Sequence, residues 1–143
     1  MMASRHLTLR IGEDLYQRLG AQSRRERETV SELARRLIDE GLRMEAHPGI
    51  VFRAAGDGER RPALADGPDV WVVASVLYEM EGTTDEVVVR TVELTELTPH
   101  QVRIAARYYA EYRDEMDEWL RQFNEESEQA YAEWQREQQV LQR

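Results

Sequence analysis

Seven residues near the start of the chain, RHLTLRI (Arg5–Ile11), alternate strictly: Leu7, Leu9 and Ile11 fall on one side, His6, Thr8 and Arg10 on the other. Alternation with period two is the mark of a β-strand with one apolar and one polar face. Such a strand cannot stand alone, because its backbone donors and acceptors need a neighbour. The neighbour is either another strand of the same chain or the same segment of a second chain. This choice constrains the rest of the fold.

Beyond the strand the pattern turns helical. GEDLYQRLGAQSRRERE carries Leu15, Leu19, Tyr16 and Ala21 on one stripe, with Glu13 and Asp14 in the first turn where the helix dipole favours acids. This predicts a helix from Glu13 to Arg25. Next, Thr29 and Glu32 form a T-x-x-E capping box ahead of Val30, Leu33, Ala34, Leu37, Ile38 and Leu42. The second helix is expected over Val30–Arg43.

His47-Pro48-Gly49 suggests a boundary. Two short apolar runs, Ile50–Ala54 and Arg61–Ala65, flank Gly56-Asp57-Gly58 and read as a hairpin. VWVVASVLYEM (Val70–Met80) is apolar nearly all round. Its β-branched residues argue for a strand, but its length and the Asp69 cap argue for a helix, which is the expectation. A helix over Asp85–Leu94 is expected to turn Val88, Val92 and Leu94 inward. After a tight turn, Thr98 caps and Pro99 opens a helix to Tyr112, with Val102, Ala105, Ala106 and Tyr109 inward. Helix, short turn and helix outline a helix-turn-helix. From Asp114 to Gln139 there is no Gly or Pro. Met116, Trp119, Leu120, Phe123, Ser127, Ala130, Tyr131 and Trp134 recur there at steps of three or four, which predicts one long amphipathic helix. Its aromatic face can pack on its own domain, pair with a second copy, or lie in a groove of another protein.

The sequence therefore predicts a mainly α fold with short β elements in three spans: 1–46, 47–113 and 114–143. Charge divides along similar lines. Residues 1–44 hold 9 Arg and 7 acids, net +2; residues 45–143 hold 10 Arg and 21 acids, net −11, and together these give the −9 of the chain. The head can approach a polyanion, while the body suits a basic protein. There is no cysteine, hence no disulfide or thiolate metal site, in keeping with a reducing cytoplasm. No apolar run reaches the roughly 20 residues of a membrane helix, and no signal-peptide core opens the chain.

LTLRI, EDLYQRL and TVSELARRLI come one after another in the order and spacing of a strand, a helix and a capped helix. This third of the chain resembles the ribbon-helix-helix DNA-binding modules. The resemblance implies a homodimer whose paired strands enter the major groove of operator DNA. His6, Thr8 and Arg10 would then face bases, and Arg5, Arg27, Thr29, Val30 and Ser31 would contact phosphates. Arg27 stands where the family usually has Gly, so either a residue with a side chain adopts a left-handed conformation there at some cost, or the turn is shifted. The alternative is that Arg5–Ile11 adds to the hairpin as a third strand. More loosely, HPGIVFR, GPDVW and LTPHQVRIAARYYAEY resemble the helix-turn-helix modules of the antitoxin-associated DUF433 type. On that reading His100, Arg103 and Arg107 offer a second DNA or partner surface; otherwise this domain only dimerises or docks a partner.

Together the resemblances imply a type II antitoxin. Its ribbon represses an operon, and its acidic C-terminal part holds a toxin, a PIN-like ribonuclease, through Met116, Trp119, Leu120, Phe123, Tyr131 and Trp134. A stand-alone repressor with an oligomerising C-terminal part, and a protein adaptor without DNA contact, are the alternatives. Catalysis finds no support. His6, His47 and His100 are scattered without metal-ligand spacing, no thiol is present, and Ser75 and Ser127 have no histidine nearby. No catalytic residue, metal or cofactor is expected.

Overall fold

A helix opens where the chain leaves the alternating segment: Gly12 is extended, and α1 runs over Glu13–Glu26 with Glu13 and Asp14 in its first turn. This computed structural model describes residues 3–142; the outermost residues of the end spans, 1–2 and 143, lie outside the described residues. The described residues form six helices and one two-stranded sheet, and the chain divides between Leu42 and Arg43 into two compact units.

In the first unit, α1 ends on Arg27, whose φ of 55° and ψ of 35° lie in the left-handed region. The non-glycine residue thus takes up the left-handed conformation, and the turn is not shifted. Ser23 closes this turn. Its carbonyl accepts from the amides of Arg27 and Glu28, and its hydroxyl donates to the Glu28 carbonyl at 2.5 Å. Helix α2 (Val30–Ala46) starts on the expected capping box, with the Glu32 amide donating to Thr29 Oγ1 at 3.1 Å and the Thr29 amide donating to the Glu32 carboxylate at 3.3 Å. Arg36 ties the helices together through Glu26, Glu28 (3.0 Å) and Glu40 (3.4 Å). Arg27→Gly should therefore stabilise this unit by about 1 kcal/mol, by removing the left-handed strain. A denaturant midpoint that stays level or falls would refute that.

Among the described residues Arg5–Ile11 pairs with no strand, and the sheet there holds β1 (Ile50–Ala54) and β2 (Arg60–Leu64). The three-stranded alternative is thus not formed. Strands β1 and β2 run antiparallel, with Ile50 opposite Leu64 and Phe52 opposite Pro62. Val70–Tyr78 is a helix, α3, not a strand. Helix α4 (Thr84–Thr95) is capped by Thr83 and Glu86, and α5 (Pro99–Glu111) by Thr98 and Gln101. Helix α6 spans Arg113–Leu141.

The core of the second unit gathers Ile50, Leu64, Val70, Val73, Ala74, Ala105, Tyr108 and Met116. Three expectations shift. Leu94 is 69% exposed, because Thr91 takes the inward place, its hydroxyl donating to the Val87 carbonyl at 2.7 Å. The division falls within α2, ahead of His47-Pro48-Gly49, because the last turn of α2 gives Arg43 to the second unit. Nor is the C-terminal span separate from the hairpin and helices. The start of α6 packs on α3 and α5, burying Met116 and setting Phe123 against Trp71 at 4.9 Å between ring centres.

Candidate nucleic-acid interface

The first unit carries its polar and apolar faces side by side. Arg5, His6, Thr8 and Arg10 are all exposed on the extended segment. Leu7, Leu9 and Ile11 line a groove of about 690 Å³ with Leu15 and Leu19 of α1 and Ala34, Leu37 and Ile38 of α2. Arg5, His6, Ser31 and Arg35 also line it, whereas Thr8 and Arg10 do not. The alternation thus sorts Leu7, Leu9 and Ile11 from Thr8 and Arg10 as the sequence leads one to expect, but His6 sits on the apolar side. The groove is open to solvent, with Leu7 at 72%, Leu9 at 61% and Leu37 at 45% exposure. For a unit of this size these are large side chains to leave wet.

Arg27 is exposed at the end of α1, and Thr29, Val30 and Ser31, all exposed, lie at the start of α2. The Thr29 amide is occupied by the Glu32 carboxylate and Thr29 Oγ1 by the Glu32 amide. Val30 and Ser31 contribute first-turn amides, which a helix leaves without internal partners. A phosphate there would meet those two amides, with the Arg27 guanidinium nearby in sequence.

In the second unit His100, Arg103 and Arg107 are exposed on α5. His100 and Arg107 line a small hollow of about 220 Å³ with His47, Pro48 and Ile104; Arg103 does not. His47 itself is buried, its Nε2 on the Glu111 carboxylate and its ring edge-on to Tyr108 at 5.2 Å. Arg43 donates to the Tyr108 hydroxyl at 2.9 Å and to Glu115 at 2.8 Å, and its guanidinium lies 4.1 Å over the Tyr112 ring. Burial pushes the Tyr108 hydroxyl up to about 12. Burial, then the bond to Asp117, pushes Tyr109 up to about 12 as well. Sequence reasoning finds none of this cluster, since Arg43 and Tyr108 lie 65 residues apart.

The aromatic face of α6 divides. Met116 is fully buried and faces its own core, so it cannot also face a partner. Trp119 and Leu120 are partly buried against the same core, and Phe123 against Trp71. Tyr131 and Trp134 are exposed, their rings stacked 5.8 Å apart. Among the described residues no three acidic or histidine side chains are placed to hold a metal, and no helix is long and apolar enough to cross a membrane. No family model matches the chain, and neither curated proteins nor solved structures include one significantly similar to it.

Proposed function

We propose that the chain is a DNA-binding antitoxin. Two copies pair Arg5–Ile11 into an antiparallel ribbon that reads operator DNA, and the acidic second unit holds a toxin protein, a ribonuclease of the PIN-like type. The observation that carries the reading is the open groove of the first unit. Leu7, Leu9 and Ile11 stand exposed beside Leu15, Leu37 and Ile38, on a segment whose backbone has no partner strand among the described residues. A second copy supplies the missing strand and the missing cover with one symmetric contact. Thr8 and Arg10 lie off that groove, where each dimer would present them twice, and the basic balance of the head lets them approach phosphate. Arg10 suits a guanine edge, which it can grip bidentately, while Thr8 makes a weaker polar contact.

The test is a gel shift against the DNA upstream of the coding frame. Arg10→Ala should cost about 1–3 kcal/mol of specific binding while leaving non-specific binding nearly level. Arg27→Ala, at a phosphate position, should instead weaken all sequences alike and flatten the salt dependence. Undiminished operator affinity in Arg10→Ala would sink the assignment of the ribbon.

A further inference from the structure

Helix α6 keeps its apolar stripe after it has left its own core. Met116, Leu120, Phe123, Ser127, Ala130, Trp134 and Leu141 recur at alternating steps of four and three, with Glu137 completing the series. On a helix of about 3.6 residues per turn these fall on one face. The first part of the stripe is covered, since Met116 is buried and Leu120 and Phe123 are partly so. The later part is not: Trp134 is 52% and Leu141 68% exposed, and Tyr131 beside them is 59% exposed. Glu126 and Glu133, followed by Val140, run along one edge of this open stripe, with Glu137 next to them inside it, while Asn124, Tyr131 and Gln138 run along the other edge.

A second copy of α6 is a poor cover. A parallel pair would set Ser127 on Ser127 and Glu137 on Glu137 in its seam, and its flanks would offer Glu126 and Glu133 only Tyr131 and Gln138 as partners. An antiparallel pair would bring the glutamates of the two copies together. Nucleic acid is excluded by the same charge, since Glu125, Glu126, Glu128, Glu133 and Glu137 face a lone Arg136 over residues 124–142. Anionic lipid is repelled for the same reason.

We propose that the outer half of α6 seats Trp134, Tyr131 and Leu141 in an apolar slot of a basic protein, whose arginine or lysine side chains meet Glu126 and Glu133 along one rim and Glu137 inside it. The inference rests on the reading of the second unit as the partner-holding half, and not on the ribbon. It narrows the partner surface to the open end of the helix and states the chemistry of what covers it. Trp134 is the anchor, being the largest apolar side chain there and already stacked on Tyr131. The glutamate row supplies orientation and encounter rate.

The full chain carrying p-benzoylphenylalanine in place of Tyr131 is irradiated in cells of its source. The crosslinked protein is identified, purified and titrated against the full chain. The expected adduct is one protein of net positive charge. Trp134→Ala should weaken its binding at least tenfold. The triple variant Glu126→Gln, Glu133→Gln, Glu137→Gln should weaken it several-fold and flatten its decline with salt. Adducts to a second copy of this chain, or affinities that neither variant alters, would overturn the proposal. A partner that binds undiminished to both variants but is lost in Arg103→Ala or Arg107→Ala would leave the second unit as the partner-holding half and overturn only its assignment to α6. A basic partner held as described but without nuclease activity would sustain this inference while removing the toxin.

Discussion

Leu9→Glu should hold the chain monomeric at micromolar concentration and abolish specific DNA binding. Leu9 is 61% exposed in the open groove of the first unit and flanked there by Leu7 and Ile11. Burying one leucine side chain contributes about 1.5–3 kcal/mol. In a symmetric pair the substitution occurs twice, so about 3–6 kcal/mol is lost before any penalty for burying two glutamates. Each 1.4 kcal/mol is about tenfold in affinity, so the dimerisation constant should weaken by more than about a hundredfold. Sedimentation velocity reads this directly, and a gel shift reads its consequence. The control is Thr8→Glu. Thr8 lies off the groove, so that variant should remain a dimer while losing DNA through charge repulsion. A Leu9→Glu protein that still sediments as wild type would show that the groove is not the dimer contact.

The helices were legible because their signals are local. Thr29 with Glu32, and Thr98 ahead of Pro99, announce their caps within four residues, and both caps form, the second completed by Gln101. Arg27 was legible only as a choice between a left-handed residue and a shifted turn, and the left-handed form is the one taken. The features that escaped are set by partners distant in sequence or by the choice between neighbouring faces. Leu94 reads as core by hydrophobicity alone. Thr91 occupies the inward stripe with Val88 because a threonine on a helix can satisfy its hydroxyl four residues back and then bury its methyl. The division at Leu42 escaped because Arg43 reads as one more solvated arginine until the fold brings Tyr108 and Glu115 to it. In the long helix the spacing marks a single stripe from Met116 to Trp134. Only the packing of α3 and α5 says where cover ends, leaving Tyr131 and Trp134 open while Met116 is sealed.

Tyr108→Ala should destabilise the second unit by about 3–5 kcal/mol, the range for removing a large aromatic side chain from a packed core. The ring is fully buried and touches His47, Phe52 and Tyr112. Its hydroxyl accepts from the Arg43 guanidinium, which also holds Glu115 and lies over the Tyr112 ring. Tyr108→Phe keeps the packing and removes only the acceptor, so it should cost about 1–2 kcal/mol. All three tryptophans, Trp71, Trp119 and Trp134, belong to the second unit, so denaturant titration monitored by tryptophan fluorescence reports this unit without the first. The same side chain sets a limit at high pH. Burial raises the Tyr108 and Tyr109 hydroxyls from 10.0 to about 12 in the folded state. Both stay protonated in the fold after the unfolded chain has begun to lose its phenol protons. The stability they carry is therefore intact below about pH 10 and drains away as pH climbs toward 12, by about 1.4 kcal/mol per pH unit for each residue. Tyr108→Phe and Tyr109→Phe, made together, should flatten that decline. An alkaline profile as steep as wild type in the double variant, or a loss below about 1 kcal/mol in Tyr108→Ala, would show that α5 is not held by these rings.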